Sequence, residues 1–240
     1  MRFLNRVFFI NSATIPYAEV MLDGNVHLIG TQGVGKSTLL RAILFFYNAD
    51  SLKLGISKEK KNFADYYFPY SNSYVIYEVM RETDPFCIIV AKTSGKVNFR
   101  FIDGAFRKEY FMSADGIAFD KWEETRKRLD EAGIDYSVKI DRYEDYRNVL
   151  YGNPETSRKD LSRYSILQSK QYQNIPRTIQ NVFLNSKLEA EFIKQTIIMS
   201  LNEQDITIDL TQYAHHLKDF ERQLADIQKY KEPSVRKVAE

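Results

Sequence analysis

The sequence predicts a mixed α/β fold in which strands dominate the first half and helices the second. Short β-prone apolar runs separated by turn residues recur over residues 3–112, whereas residues 119–151 show helical periodicity. A glycine-rich loop, Gly30–Thr38, lies between an apolar run and an amphipathic segment free of glycine. We therefore expect an α/β domain whose chief candidate site is a loop that leads into a helix.

The composition is that of an ordinary globular protein. Of the 240 residues, 44% are hydrophobic and 28% are charged, and the formal net charge of +2 is close to balance. A balanced charge gives no overall argument for a nucleic-acid partner, so such a partner has to be argued from local clusters. The apolar run after Arg6 is too short for a signal peptide and no run approaches a membrane span, so we expect a cytoplasmic protein without a membrane partner.

The loop matches the phosphate-binding pattern G-x-x-x-x-G-K-[ST] at every fixed position. Glycines let such a loop turn its backbone N–H groups inward, and the following helix adds its positive end. We expect Lys36 above the β- and γ-phosphates, the Ser37 hydroxyl on Mg²⁺, and Thr38 near the α-phosphate. The predicted binding residues for a nucleoside triphosphate are Gly30, Thr31, Gln32, Gly33, Val34, Gly35, Lys36, Ser37 and Thr38.

The elements around the loop are predicted from apolar patterning and turn residues. A helix is expected from residue 36 to about 47. Strands are expected at 4–10, 18–22 and 25–29, and then in a meander at 74–81, 86–92, 96–102 and 108–112. Consecutive strands with short connections predict an antiparallel sheet, unlike the alternating strand–helix order of small GTPases.

The second half is predicted to be a helical lobe. Helices are expected at 119–132, 142–151 and from 175 through 201, with short strands at 136–140 and 165–168. The last segment has apolar residues spaced alternately by three and four, at Leu210, Tyr213, Leu217, Phe220, Leu224 and Ile227. This spacing is typical of a coiled coil, with an ordinary amphipathic helix as the alternative. The predicted domains are therefore 1–208 and a coiled-coil start at 209–240.

A polar, basic stretch follows the predicted helix at residues 50–63. Its lysines are Lys53, Lys58, Lys60 and Lys61. Such a stretch is most often a solvated loop, but beside a nucleotide site it could contact a DNA backbone.

The sequence lacks a second motif that hydrolysis by such proteins requires, an apolar strand that ends in Asp followed by Glu. Glu78 has no Asp before it, and Asp103 is followed by Gly104. No Ser-Gly-Gly signature occurs either. These 240 residues therefore do not encode a complete ATPase of the kind that uses a helical signature loop.

The order of these motifs resembles the N-terminal half of an ATPase head of the SMC superfamily, the ABC-type heads of chromosome-organising, DNA-repair and plasmid-defence proteins. In that superfamily the phosphate loop comes first, a coiled coil follows, and the signature and Walker B half returns later. The chain looks most like the MukB-like and JetC-like branch, although Thr31 and Gln32 replace the usual Pro-Asn of the loop. The segments that carry this likeness are Tyr66–Pro69, Asn72–Glu78, Ile175-Pro176 and Ala190–Lys194.

The resemblance implies a P-loop NTPase fold and an ATP- and Mg²⁺-dependent function. Gln168, or else Gln171, would be the glutamine that helps to hold Mg²⁺ and the attacking water, so that Lys36 and Gln168 form the catalytic set. A C-terminal half carrying the signature and Walker B motifs would complete the ATPase, and the chain alone would be inactive. Further partners would be a second copy of the head, accessory subunits of the kleisin type, and DNA.

Two other functions stay open. One is a non-enzymatic scaffold that binds nucleotide structurally. The other is a divergent transporter-type ABC ATPase subunit, which would need the signature and Walker B motifs soon after the loop.

Overall fold

The computed structural model describes residues 2–57, 59–153 and 159–166. These residues belong to the unit Met1–Leu201. The predictions made for Gln168 and Gln171, for the helix at 175–201, for the coiled coil and for the domain boundary at 208 fall outside the described residues.

A five-stranded antiparallel sheet forms the centre of the described structure, in the order β2-β1-β3-β4-β5. The strands are β1 Phe3–Ser12, β2 Ile15–Met21, β3 Tyr74–Met80, β4 Pro85–Thr93 and β5 Lys96–Asp103. The helices are α1 Lys36–Asn48, α2 Phe63–Tyr67, α3 Trp122–Glu131 and α4 Tyr143–Leu150, with 3₁₀ turns at Ser51–Lys53, Lys108–Tyr110 and Lys159–Tyr164. The chain is therefore a mixed α/β protein, as its sequence predicts.

Both faces of the sheet are buried, because consecutive residues of the inner strands point to opposite faces and nearly all of them are apolar. On one face, Tyr77 of β3 lies opposite Val7 of β1 and Ile88 of β4, and these residues pack with α1 and α4. On the other face, Phe8 and Ile76 pack with residues from the segment 106–119 and from α3. The first helix therefore lies on a sheet that is covered on its far side as well.

Tyrosine hydroxyls tie α1 to its surroundings along its whole length. The hydroxyls of Tyr67, Tyr77, Tyr146 and Tyr151 donate to the carbonyls of Thr38, Ala42, Phe46 and Tyr47, at 2.6, 2.7, 2.8 and 2.7 Å respectively. Burial raises the pKa of each of these hydroxyls, so that they remain donors at any physiological pH. The loop that precedes α1 is consequently anchored to a fixed helix.

A buried ion pair joins β1 to β3 on the α3 face. The carboxylate of Glu78 accepts from Arg6 Nε at 2.8 Å and Arg6 Nη2 at 2.7 Å, and also from Asn5 Nδ2 and the Phe106 amide, both at 2.9 Å. Burial pushes the pKa of Glu78 upward, but these hydrogen bonds outweigh it and hold that pKa below its ordinary value. The Arg6 guanidinium also donates to Glu19 at 2.7 Å.

The strand predicted at 25–29 is wrong, because these residues form no strand in the structure. A strand needs a neighbour; both edges of β1 are taken by β2 and β3, and these residues do not pair with the free outer edge of β2. The apolar side chains of the segment stay in contact with solvent, with Val26 43% and Ile29 92% exposed. The segment before the loop thus carries exposed apolar side chains and is unpaired within the described residues.

Other predicted boundaries also needed correction. The strand predicted at 108–112 is the 3₁₀ turn Lys108–Tyr110, since Tyr110, Phe111 and Met112 all bury their side chains against one face of the sheet. The strand predicted at 136–140 is reduced to isolated bridges from Tyr136 and Ile140 to β5. At 165–168, the described residues Ser165 and Ile166 are not a strand.

The helices predicted at 36–47, 119–132 and 142–151 are confirmed. The predicted helix at 119–132 is α3, beginning three residues late, and Gly133 follows it with φ of +65°. Ser94 and Gly95, with φ of +51° and +77°, form a two-residue hairpin turn between β4 and β5. None of the helices in the described ranges is both long enough and apolar enough to span a bilayer.

Candidate nucleotide-binding site

The predicted phosphate loop leads directly into α1, whose N-terminal residue is Lys36. Gly35 occupies the N-cap with φ of 95° and ψ of 5°, so it has no side chain to cap the first turn, and that turn contains no acidic residue. The backbone N–H groups at a helix N-terminus carry partial positive charge and need acceptors. The start of α1 is therefore suited to an anion.

Two kinds of constraint explain the glycines of the loop. Gly33 and Gly35 have φ of +90° and +95°, a region that side chains disfavour. A Cβ at Gly30 would lie 2.8 Å from Val34 Cγ2, which is too close for an ordinary contact. Of the two glycines that the pattern fixes, Gly35 is thus required by its backbone conformation and Gly30 by its close approach to Val34, while Gly33, at a variable position, also has positive φ.

The side chain of Lys36 folds back across the loop. Its Nζ donates to the Gly30 carbonyl at 2.6 Å and to the Thr31 carbonyl at 2.7 Å. An ammonium has three N–H donors, so one of them remains for an anion in this arrangement. Lys36 therefore both closes the loop and presents positive charge to its concave side.

The loop borders a pocket of about 660 Å³. This volume is within the range of small-molecule sites. Its lining residues are Gln32–Thr38 from the loop and α1, Ala13–Ile15 from the β1–β2 turn, and Tyr66 from α2. The structure thus brings seven of the nine predicted binding residues to one pocket, while Gly30 and Thr31 contribute the carbonyls that hold Lys36.

The β1–β2 turn and α2 also border the candidate site, although neither is among the binding residues predicted from the sequence. The Ala13 amide donates to the Tyr67 carbonyl at 3.4 Å, which joins the turn to α2. The Tyr67 hydroxyl donates to the Thr38 carbonyl at 2.6 Å, and the Tyr66 hydroxyl lies 3.4 Å from Thr38 Oγ1. Ala13 has φ of +54°, an uncommon conformation for a residue with a side chain, and such strain tends to occur at functional sites.

The basic stretch forms part of a second pocket, of about 370 Å³. Its lining residues are Thr38, Arg41, Ile56, Lys60, Lys61, Tyr66 and Tyr67, so it adjoins the first pocket through Thr38 and Tyr66. Lys60 and Lys61 are exposed. Of the other predicted DNA-contacting lysines, Lys53 ends the 3₁₀ turn Ser51–Lys53 and Lys58 lies outside the described residues.

An apolar groove of about 290 Å³ also adjoins the loop. Its walls come from β1, β2, the unpaired segment and the start of α1, and include Phe9, Ile15, Ala18, Val20, Leu28, Ile29, Val34 and Leu39. Val34 of the loop is 58% exposed beside it. Apolar surface is therefore continuous from the unpaired segment to the loop.

Of the predicted Mg²⁺ ligands, Ser37 lines the 660 Å³ pocket, whereas Gln168 falls outside the described residues. Mg²⁺ at phosphate sites is commonly held by one or two protein ligands together with phosphate oxygens and water. A single hydroxyl at the start of α1 fits that kind of coordination. In the part of the chain that the structure describes, no three His, Cys, Asp or Glu side chains cluster as an all-protein metal site would require.

Comparison with known proteins identifies the family. The family DUF3584, whose description is "protein of unknown function", matches residues 14–239, and this family is associated with RecF-, RecN- and SMC-like proteins. No individually curated protein shows significant similarity to the chain. The match supports the resemblance at the level of that broad group, without assigning the MukB-like or JetC-like branch. Because it covers the loop, four of the five strands and nearly all of the remaining sequence, the chain belongs to the DUF3584 family.

Proposed function

We propose that this chain is the ATP-binding half of an SMC-like ATPase head with the P-loop NTPase fold. The observation that carries the proposal is the loop Gly30–Thr38, which follows the phosphate-binding pattern and borders a pocket of about 660 Å³ at the uncapped start of α1. A glycine-rich loop at a helix N-terminus is a recurrent anion site. The family's association with SMC-like proteins supports the same proposal.

Each residue of the loop has a distinct part in this proposal. Backbone N–H groups from Gly33 to Lys36 surround the β-phosphate, and the Lys36 ammonium exchanges its loop carbonyls for β- and γ-phosphate oxygens. The hydroxyl of Ser37 holds Mg²⁺, which when bound would offset the charge of those oxygens. Thr38, at the start of α1, lies towards the α-phosphate.

A catalytic base has to come from outside this pocket. None of the residues that line its described walls is acidic. Hydrolysis of a triphosphate needs a group that positions or activates the attacking water. We therefore propose that a C-terminal half with the Walker B and signature motifs supplies it, with Gln168 of this chain as a further contact to water and Mg²⁺.

The unpaired segment at residues 25–29 supports the proposal that a C-terminal half completes the head. Its Ile29 side chain is 92% exposed, and the apolar groove beside it includes Leu28, Val34 and Leu39. Contiguous exposed apolar surface usually marks an interaction site, and a segment that pairs with no strand of its own chain is available for strand addition. We propose that a strand of the C-terminal half pairs with this segment and covers the groove.

In the assembled protein, two heads would bind each other around ATP and hydrolysis would separate them. This cycle would act on DNA in chromosome organisation, repair or defence against plasmids or phage, in the cytoplasm and with accessory subunits of the kleisin type. The lysines Lys53, Lys58, Lys60 and Lys61 are the proposed DNA contacts, since phosphate contacts of this kind supply most of the non-specific affinity for DNA.

A nucleotide-binding scaffold is the second candidate, and the lack of an acidic residue on the described walls of the 660 Å³ pocket is the observation that favours it. A scaffold would bind ATP through the same loop without ever hydrolysing it. The two proposals therefore differ in what happens when the remainder of the head is added.

The test is ATP hydrolysis by the 240-residue chain, alone and with the separate C-terminal half that the proposal requires. The split-head proposal predicts negligible turnover by the chain alone, turnover on addition of the second portion, and its loss in Lys36→Ala. Lys127→Ala, on the exposed surface of α3, is the matched lysine control and should leave turnover unchanged. Vigorous Lys36-dependent turnover by the chain alone would contradict the proposal, and ATP binding without turnover in any mixture would favour the scaffold.

A further inference from the structure

We propose that Tyr66 binds the base of the nucleotide by stacking, and so forms the nucleoside part of the site. This inference rests on the proposed function, because it concerns the same pocket. It assigns a role to a residue that lies outside the phosphate-binding pattern and about 30 positions away from it in sequence.

The role of Tyr66 is inferred from the direction in which a bound nucleotide would extend from the loop. Lys36 marks the β- and γ-phosphate end of the pocket, and Thr38 marks the α-phosphate end. The Tyr66 hydroxyl lies 3.4 Å from Thr38 Oγ1. With the phosphates in this order, the Tyr66 ring would lie beside the nucleoside that follows the α-phosphate. Of the residues on the described walls of this pocket, Tyr66 alone is aromatic.

A series of aromatic contacts holds the Tyr66 ring in place. The ring centroids of Phe45 and Phe63 are 4.0 Å apart, those of Phe63 and Tyr67 are 4.3 Å apart, and those of Tyr67 and Tyr66 are 5.3 Å apart. Phe45, Phe63 and Tyr67 are buried, whereas Tyr66 is only half-buried. Tyr66 is thus the outermost ring of an aromatic series anchored in the core and meets Tyr67 edge to face, and a ring fixed before binding loses little conformational entropy when a base stacks on it.

The neighbouring Tyr67 cannot take this role. Its side chain is 1% exposed and its hydroxyl is engaged with the Thr38 carbonyl. Tyr66 also stands where the 660 Å³ and 370 Å³ pockets adjoin, so a base on its ring has space on both sides. Planar aromatic bases stack on tyrosine regardless of their hydrogen-bonding edges, so the ligand class is a nucleotide.

The experiment compares two ligands that share their phosphates but differ in the base. ATP and inorganic tripolyphosphate, each with Mg²⁺, are titrated by calorimetry into the 240-residue chain and its variants. Tyr66→Ala should weaken ATP binding by about tenfold or more, in line with the measured value of base–aromatic stacking, and leave tripolyphosphate binding unchanged. Tyr66→Phe keeps the ring and should bind ATP within about twofold of the wild type, because stacking depends on the ring.

Tyr70→Ala is the matched control, because Tyr70 is exposed and lies on neither pocket. It should leave both affinities unchanged. If Tyr66→Ala weakened the binding of ATP and of tripolyphosphate equally, or weakened neither, the inference about Tyr66 would be overturned but the proposed function would not. Failure of the wild-type chain to bind either ligand, or binding that is indifferent to Lys36→Ala, would overturn the proposed function and this inference with it.

Discussion

The hydroxyl of Tyr77, on the central strand β3, donates a 2.7 Å hydrogen bond to the carbonyl of Ala42 in the middle of α1. Both residues are fully buried. The Tyr67 hydroxyl makes the corresponding bond one helical turn earlier, to the Thr38 carbonyl at the edge of the pocket. The start of α1, where an anion would bind, is therefore positioned by hydrogen bonds from the sheet and from α2.

We expect Tyr77→Phe to reduce the free energy of unfolding by about 1 kcal/mol, because it removes one buried hydrogen bond and keeps the ring. Urea-induced unfolding measures the change. Tyr70→Phe, at an exposed tyrosine, is the control and should change the free energy of unfolding by less than about 0.5 kcal/mol. Equal effects of the two substitutions would show that the Tyr77 hydroxyl does not contribute through Ala42.

The buried pair of Arg6 and Glu78 predicts a large loss of stability in Glu78→Gln, about 2 to 3 kcal/mol, because the substitution leaves Arg6 without its buried partner. Glu19→Gln removes the more exposed partner of the same guanidinium and should cost less than about 1 kcal/mol. Chemical unfolding of the two variants at pH 7 provides the comparison. A loss in Glu78→Gln no larger than that in Glu19→Gln would contradict the prediction.

The same pair predicts a dependence of stability on pH. The pKa of Glu78 is lowered in the folded state, so the stability that its carboxylate contributes is fully present above the unfolded-state pKa, about 4.3, and is lost as the pH falls through the folded-state value. The difference in unfolding free energy between wild type and Glu78→Gln should therefore be constant from about pH 7 to 5 and shrink below about pH 4. A difference that stays constant to pH 3 would contradict the lowered pKa.

The close approach of Gly30 to Val34 predicts a compensating pair of substitutions. Gly30→Ala places a Cβ 2.8 Å from Val34 Cγ2 and should weaken ATP binding about twofold to tenfold, because the exposed Val34 side chain or the loop itself must move to relieve the contact. Adding Val34→Ala removes the methyl groups involved and should restore most of the affinity. The affinities of both variants are measured by calorimetry, and a double variant as weak as Gly30→Ala would mean that the close contact is not the cause.

The hairpin turn at Ser94 and Gly95 predicts a stabilising change. Asparagine accepts positive φ more readily than serine, so Ser94→Asn should raise the free energy of unfolding by about 0.5 kcal/mol. Ser94→Ala, which lacks a polar side chain able to bond to the local backbone, should give no such gain. Equal thermal stability of the two variants would contradict the assigned turn.

The local pattern of apolar residues and glycines was sufficient to predict most of the strands, the helix α1 and the loop. The nearly continuous apolar runs in β1, β3 and β4 reflect burial on both faces of the sheet, and the periodic segment after the loop is α1. The loop itself was predicted because its glycines meet backbone requirements that a short sequence pattern encodes.

The errors arise where structure depends on distant partners. Residues 25–29 have the composition of a strand, but they pair with none of the described strands, although β2 has one unpaired edge. Tyr66 reaches the site through contacts with Thr38, 28 positions earlier in the chain, and the β1–β2 turn reaches it through the bond from Ala13 to Tyr67. No local pattern encodes such contacts, so the phosphate end of the site was predictable and the remainder was not.

The most direct test of the central claim is calorimetric titration of the 240-residue chain with ATP and Mg²⁺. The proposal predicts saturable binding of one ATP per chain, weakened at least about tenfold in Lys36→Ala because a charge-assisted contact to phosphate is lost, and unchanged in Lys127→Ala. No detectable binding, or equal binding by the wild type and Lys36→Ala, would contradict the assignment of Gly30–Thr38 as a phosphate-binding loop.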